Sequence, residues 1–229
     1  MQSKVKLTKR QVKEDKFTTF MLTSKDKLQG EFEEKWQYYV IGLVVTVVAV
    51  WAVIWFFNQR SDRAVAAAEA YSKAMIAYQS GDNLNATLEL NKVLSDYGGY
   101  DVAGNAALML GNLNLSNRSY DEALRHYRIY LDDYGGPLFN RAAAQAGIAT
   151  VQEDQAQHAE AAASFVKAAE MYPDGPLRPD YELGAIRNYL AGGEIDKADA
   201  RLAILKDEYA NSDWTNRAIR MIAEKKQSG

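Results

Sequence analysis

Four tyrosines in one register constrain this chain more than any single motif does. Ala86, Ala123, Ala161 and Ala198 are each followed eleven residues later by a tyrosine, at Tyr97, Tyr134, Tyr172 and Tyr209, and successive units lie 37, 38 and 37 residues apart. A fixed period near forty residues is the mark of a stacked repeat architecture. Before each alanine comes a polar turn: SGDNLN at 80–85, SNRSYDE at 116–122, DQAQHAE at 154–160 and GGEIDK at 192–197. After it, apolar residues recur at helical spacing, as in Ala123, Leu124, Tyr127, Leu131 and Tyr134. Upstream of the turn lies a second helical stretch, such as AGNAALMLGNLNL at 103–115. Each unit therefore reads helix, turn, helix. Neither helix can bury its face alone, so stacked neighbours must complete the core. DYGG, at 96–99 and again at 133–136, then marks the end of a unit. Tyr97 and Tyr134 read as last-turn residues packing into the next repeat, each followed by a glycine able to take the left-handed conformation that stops a helix. Tyr172-Pro173 stops the third unit by another route.

Ahead of the repeats, Tyr38 to Phe57 is a run of twenty residues without a charge. At about 1.5 Å per residue such a helix spans roughly 30 Å, the thickness of a bilayer core. Trp36, Tyr38 and Tyr39 at one end and Trp55, Phe56 and Phe57 at the other form aromatic belts of the kind that favour membrane interfaces. The polar segment ahead of the run is too long for a cleavable signal peptide, so the expectation is an uncleaved, single transmembrane helix. Within it Gly42 and Thr46 make a small-xxx-small pair through which another membrane helix could approach.

Charge is distributed unevenly about this run. Residues 1–35 hold nine Lys/Arg and six Asp/Glu, a net of +3, whereas residues 36–229 hold 18 and 24, a net of −6. That asymmetry places the N-terminus in the cytoplasm and the large domain across the membrane, although the lysines and arginines nearest the span are balanced between its two sides. Phe17, Phe20, Met21, Leu28 and Phe32 recur at helical spacing in the tail, and Thr8 with Gln11 has the pattern of a capping box. The tail is thus either an amphipathic helix on the membrane or a partner, or a fraying segment. There is no cysteine, which excludes disulfides, thiolate metal sites and cysteine nucleophiles. The mild acidity of the chain gives no basic field for nucleic acid.

The repeats resemble the tetratricopeptide repeat family. The second unit carries the resemblance best, with Leu110-Gly111, Tyr120, Ala123 and Tyr127 where that motif expects its Leu-Gly, aromatic, small and aromatic residues. Ala161, Phe165, Ala168 and Pro173 match in the third unit, Gly193, Ala198 and Leu202 in the fourth, and Gly81, Ala86 and Leu90 in the first. The period exceeds the family's usual ~34 residues. Gly147 and Gly184 fall two residues ahead of the motif's glycine, which predicts longer intra-repeat turns in units three and four. The resemblance implies an all-α fold: one transmembrane helix, an α-solenoid of about four helix-turn-helix repeats, and a C-terminal cap helix. The expected boundaries are a tail over 1–37, a span over 38–57 and a repeat domain over 58–229. Within the last, repeats fall at about 62–98, 99–136, 137–174 and 175–211, with the cap over 212–226. Asp213 near the start of the cap and Lys225 and Lys226 at its end complement its dipole.

Catalytic constellations are absent from the sequence. His126 and His158 are the only histidines, and neither belongs to a metal-binding motif. Both fall on or beside second helices and read as surface or groove-edge residues. There is no Walker loop, no GxSxG elbow and no GxGxxG after a strand. No enzymatic activity, cofactor, metal or small-molecule substrate is expected.

The resemblance instead implies binding of other proteins along a concave face lined by the first helix of each pair. Projected onto that face are Tyr71, Met75 and Tyr78 in unit one, Asn105, Asn112 and Leu115 in unit two, and Leu183 and Arg187 in unit four. A short tail, one span and extended repeats also resemble bacterial envelope proteins of this family, in particular the YfgM-like ancillary subunits of the Sec translocon. The implied protein is a bacterial inner-membrane, single-pass scaffold or chaperone with its repeats in the periplasm, binding envelope or secreted proteins. Two other readings stay open: a fixed structural subunit of a larger membrane complex, and a receptor with its repeats in the cytosol.

Overall fold

The computed structural model describes the backbone of residues 9–228, and the described residues contain helix and no strand. The capping pair expected at Thr8 and Gln11, and the side chains of Phe17, Leu28 and Phe32, lie outside the described residues. Helix α1 runs Lys9–Gln79 and is followed by α2 (Asn83–Asp96), α3 (Asp101–Ser116), α4 (Tyr120–Ile129), α5 (Leu138–Asp154), α6 (His158–Met171), α7 (Arg178–Ala191), α8 (Ile195–Glu208) and α9 (Asp213–Ser228). A π-turn over Tyr130–Tyr134 ends α4. The chain divides into two compact units, residues 1–61 and 62–229. In the first, every side chain from Trp36 to Phe57 is exposed. The most apolar stretch has a mean hydropathy of 2.7, long and apolar enough to cross a membrane.

In the second unit the repeat register becomes packing. The end of α1 with α2, then α3 with α4, α5 with α6 and α7 with α8 form four helical hairpins. Their intra-repeat turns span 80–82, 117–119, 155–157 and 192–194, three residues in every case. The longer turns expected in units three and four are therefore not found. All four turns close in the same way. The third residue donates to a carbonyl five residues back, as in Asp82 to Ala77, Ser119 to Asn114, Gln157 to Gln152 and Glu194 to Tyr189. This is the helix-ending arrangement that needs a left-handed residue just past the helix. Gly81 and Gly193 supply it at φ 79° and 77°, but units two and three use Arg118 and Ala156 at φ 58° and 57°.

The core is built in four clusters, each drawing on one hairpin and on the first helix of the next. Ala74, Ala86, Leu90 and Val93 pack with Ala106, Leu110 and Leu113. Ala107, Ala123, Tyr127 and Tyr130 pack with Ala144, Ile148 and Val151. Ala146, Ala149, Phe165 and Ala168 pack with Tyr181 and Ala185. In the last, Ile186, Leu190, Ala198, Leu202 and Leu205 pack with Ala218 and Ile222 of α9. The four register alanines, Ala86, Ala123, Ala161 and Ala198, are all fully buried.

Side-chain size is matched across each junction. A Cβ on Gly111 would come within 2.6 Å of the Tyr127 ring, and one on Gly147 within 2.7 Å of both its Cε atoms. The ring thus lies between α3 of its own repeat and α5 of the next. Gly184 likewise receives Phe165, 2.9 Å from where a Cβ would sit. Gly147 and Gly184 are early in the motif because they face the preceding repeat. Where the second helix carries the smaller leucine, the same register holds methionine. Leu90 shares a cluster with Met109, and Leu202 shares one with Met221 of α9. Tyr97 meets the ring of Tyr100 in the next unit, with centroids 6.5 Å apart, as expected, but Tyr134 turns the other way. Tyr134 covers Gly104 on the first helix of its own repeat, and its hydroxyl donates to the Gly98 carbonyl at 3.0 Å, at the preceding boundary. It reaches back because Gly104 leaves room for the ring.

Two outcomes test this packing. Gly147→Met overfills the site under Tyr127 and is expected to cost about 3 kcal/mol in urea unfolding. Adding Tyr127→Leu, which recreates the Leu90–Met109 pairing, recovers at least half of that loss, read as a coupling energy in a double-mutant cycle. Ala156→Gly relieves a left-handed alanine and raises stability by about 1 kcal/mol. The same substitution at Ala163, exposed inside α6, lowers it by about 1 kcal/mol.

Candidate functional site

The face of the first helices turned away from their partners is the surface on which the projected binding residues should meet. Tyr78, Asn105 and Asn112 are exposed, and Met75 is half-buried. Tyr71 is half-buried against the first core cluster and Leu115 against the second. Leu183 is 3% exposed and packs with α8 and α9 residues. It belongs to the core, because α7 is covered by α6 on one side and by α8 and α9 on the other. Arg187 is the one residue at the centre of α7 that reaches solvent.

Two polar contacts organise this face. The Tyr127 hydroxyl, emerging past Gly111, donates to Asn112 Oδ1 at 2.9 Å. Burial raises the Tyr127 phenol well above its ordinary value, so it remains a donor throughout the physiological range. Between the third and fourth repeats, Arg187 forms a bidentate pair with Glu153 of α5, at 2.5 and 2.6 Å. Its guanidinium also lies 6.0 Å from the centre of the Phe165 ring. The hydrogen bonds it donates to Glu153 hold Arg187 charged against the opposing cost of burial. The Asn112 amide, the Tyr127 hydroxyl and the Arg187–Glu153 charge pair are thus already positioned. Peptide recognition uses groups of this kind. On the span, the Thr46 hydroxyl donates to the Gly42 carbonyl at 2.8 Å, so the small pair is internally satisfied and leaves an apolar surface.

Polar groups in the core escape a reading of single repeats, although the repeat register signals them. Glu182 is fully buried on α7 in the register of Ala70, Ala107 and Gln145. It accepts a bidentate bond from Arg201 of α8 at 2.5 and 2.6 Å, and Arg178 lies 4.0 Å away. Arg178 also pairs with Glu208. This network clamps α7 onto α8. Arg201 shares its register with His126, and His126 is 2% exposed, not the surface residue expected. It is drawn inward because α3 offers the short polar side chain of Asn114 opposite it, 3.2 Å from Nδ1. Burial first, and then the charge of Arg125, push the His126 ring below its ordinary value. His158 is half-buried, and its Nδ1 lies 3.1 Å from Asn188 Oδ1.

Two open recesses lie at helix ends. One is lined by Leu190, Ala191, Met221, Glu224 and Lys225 and the other by Arg118, Ser119, Tyr120, Asp121, Glu122 and Gln155, with volumes of about 430 and 460 Å³. Among the described residues no cluster of three or more His, Asp or Glu is placed to hold a metal.

Comparison with known proteins agrees with this architecture. Residues 32–173, more than half of the chain, match the family model for the tetratricopeptide repeat-like domain, and the match takes in the apolar run together with the first three repeats. No curated protein matches the chain. Among solved structures, the chain is similar to nearly identical TPR-like repeats of a putative kinesin light chain from Podosopora anserina. The likeness has a TM-score of 0.53 at 15% identity and covers 70% of this chain and 85% of that one. A second crystal structure, of a glutamine-to-methionine variant of the same repeats, gives the same TM-score and identity, with 84% of that chain covered. At this identity the likeness shows the fold alone. The fold is typically a non-catalytic scaffold that binds other proteins, and by its sequence match this chain belongs to the tetratricopeptide repeat-like domain family.

Proposed function

We propose that this protein is a membrane-anchored scaffold of chaperone type, held in a bacterial inner membrane by the apolar part of α1. Its N-terminus lies in the cytoplasm, and its repeats bind other envelope or secreted proteins on the far side. The observation that carries this reading is the union, in one helix and one family match, of an exposed charge-free run with the first repeat. Exposing that many apolar side chains to water is untenable, and a bilayer removes the cost. The charge asymmetry supports the orientation. The wider resemblance to YfgM-like proteins points to the Sec translocon as the place of work. The binding face is the one carrying Tyr78, Asn105, Asn112 and Arg187, with Met75 at its edge.

Topology and partner capture test the two halves of this reading separately. An external protease added to spheroplasts is expected to remove the repeats and to leave the tail protected; protection of the repeats with cleavage of the tail would reverse the orientation. Crosslinking from positions 78, 112 and 187 in native membranes is expected to trap several substoichiometric envelope proteins. One stoichiometric partner would make the protein a fixed subunit instead. Arg187→Ala with Tyr78→Ala is expected to reduce the trapped material at least about fivefold. The same pair should lower stability by about 1–2 kcal/mol, since Arg187 is half-exposed but Glu153, only 20% exposed, loses its partner.

A further inference from the structure

The His126 ring occupies a place where its neutral form is required. It lies between α3 and α4, 2% exposed, and both of its nitrogens are engaged. Nδ1 lies 2.8 Å from the Glu122 carbonyl, which can only accept, so Nδ1 carries the proton, and the Asn114 amide nitrogen 3.2 Å away, which donates to the Leu110 carbonyl, touches Nδ1 without donating to it. Nε2 lies 2.9 Å from an Arg125 guanidinium nitrogen, which can only donate, so Nε2 must be bare. Arg125 is held over the ring by its own ion pair with Glu122 at 2.7 Å. A second proton on the ring would go to Nε2 and point at the guanidinium, turning a hydrogen bond into a repulsion between two cations.

The charged groups facing the ring are Glu122 and Arg125, both on α4. From α3 comes only the neutral Asn114. The carboxylates at the end of α5 are engaged elsewhere, Glu153 with Arg187 and Asp154 with the Tyr120 hydroxyl. Among the described residues Glu122 is the one counter-charge in reach, 4.0 Å from Nδ1, and it is already shared with Arg125. Next in the chain stands Tyr127, whose ring holds α3, α4 and α5 together and whose hydroxyl reaches Asn112.

We propose that His126 is an acid-sensitive latch on the second repeat: protonation at Nε2 expels Arg125, loosens α4 from α3 and releases Tyr127 from Asn112 on the binding face. The sign follows from linkage. A histidine held neutral in the folded protein binds its proton more readily when the helices part. The stabilisation is therefore complete above the ordinary histidine value of 6.5 and is lost as pH falls from there toward the lower folded value. The device requires no particular partner.

The chain has only two histidines, so the latch can be watched directly, with His158 as the internal reference. The experiment uses the full chain in lipid nanodiscs with isotope-labelled histidine rings, titrated from about pH 7.5 to 5, alongside amide hydrogen exchange corrected for intrinsic rate. The expected result is a His126 ring that is protonated only at Nδ1 at neutral pH. As it gains its second proton, α3 and α4 amides exchange at least about tenfold faster while α7 and α8 do not change. His126→Gln is expected to abolish that acid response, and His158→Gln to keep it. A ring that takes up its proton with no faster exchange in α3 and α4 would overturn the proposal. So would an undiminished acid response in His126→Gln. If that variant does not fold at neutral pH, the wild-type titration alone decides.

Discussion

Three helices meet on the ring of Tyr127, and the solenoid depends on contacts of this kind. A second helix in this protein is not a partner to one first helix but a wedge between two. The ring fills the space left by Gly111 on one side and by Gly147 on the other. The arrangement explains why the repeat cannot exist singly. Each core cluster takes its last members from the following hairpin, so the final hairpin needs α9 to complete its core. At the opposite end no preceding second helix is present among the described residues. Ile76, in the register of the buried Leu113, Val151 and Asn188, is accordingly 67% exposed.

Matching by size also fixes the order of stacking. Four hairpins of similar length could in principle dock in several orders, since helix pairing alone is permissive. The junctions here are not interchangeable. Phe165 requires a glycine and would collide with Met221, while Leu90 set against Gly147 would leave a void. A mispaired junction then costs either overpacking or a cavity, each of order 1–3 kcal/mol or more. The buried Glu182–Arg201 pair adds a distinction of another type. Among the described residues its partners are found within the fourth hairpin, and either charge left alone in the core would cost several kcal/mol.

The repeat, its period and the helical hairpins are legible in the sequence because they rest on periodicity. The four register alanines and the sites of the intra-repeat turns are local properties. Directions of contact are not legible in the same way. The family motif places its glycine two residues later, so Gly147 reads as lengthening a turn; the structure shows a glycine serving the neighbouring repeat. Register points Tyr134 forward, yet it reaches back, since the space that admits it is at Gly104, thirty residues earlier. Register alone projects Leu183 and Tyr71 onto the binding face, but how much of a helix remains open depends on how many neighbours cover it. The polar core residues can be found by aligning the repeats with one another. Glu182 stands out beside Ala70 and Ala107, and His126 and Arg201 fall in one inward register.

Two of the polar side chains on the candidate face, Asn112 and Arg187, are already engaged within the protein, and this bears on how it binds. Arg187 is engaged with Glu153, and Asn112 accepts from Tyr127. A partner hydrogen-bonding to either must displace an internal contact or share it, so the net gain per contact is the difference between two similar bonds. Such a face suits modest affinity and exchange more than permanent capture. The pre-existing contacts also keep the side chains in place before a partner arrives, which lowers the entropy lost on binding. Both properties are ones that the proposed scaffold role would use. A subunit fixed in one assembly would instead be expected to present a larger apolar surface. Among the described residues the largest apolar surface is the charge-free run of α1, which a bilayer would cover.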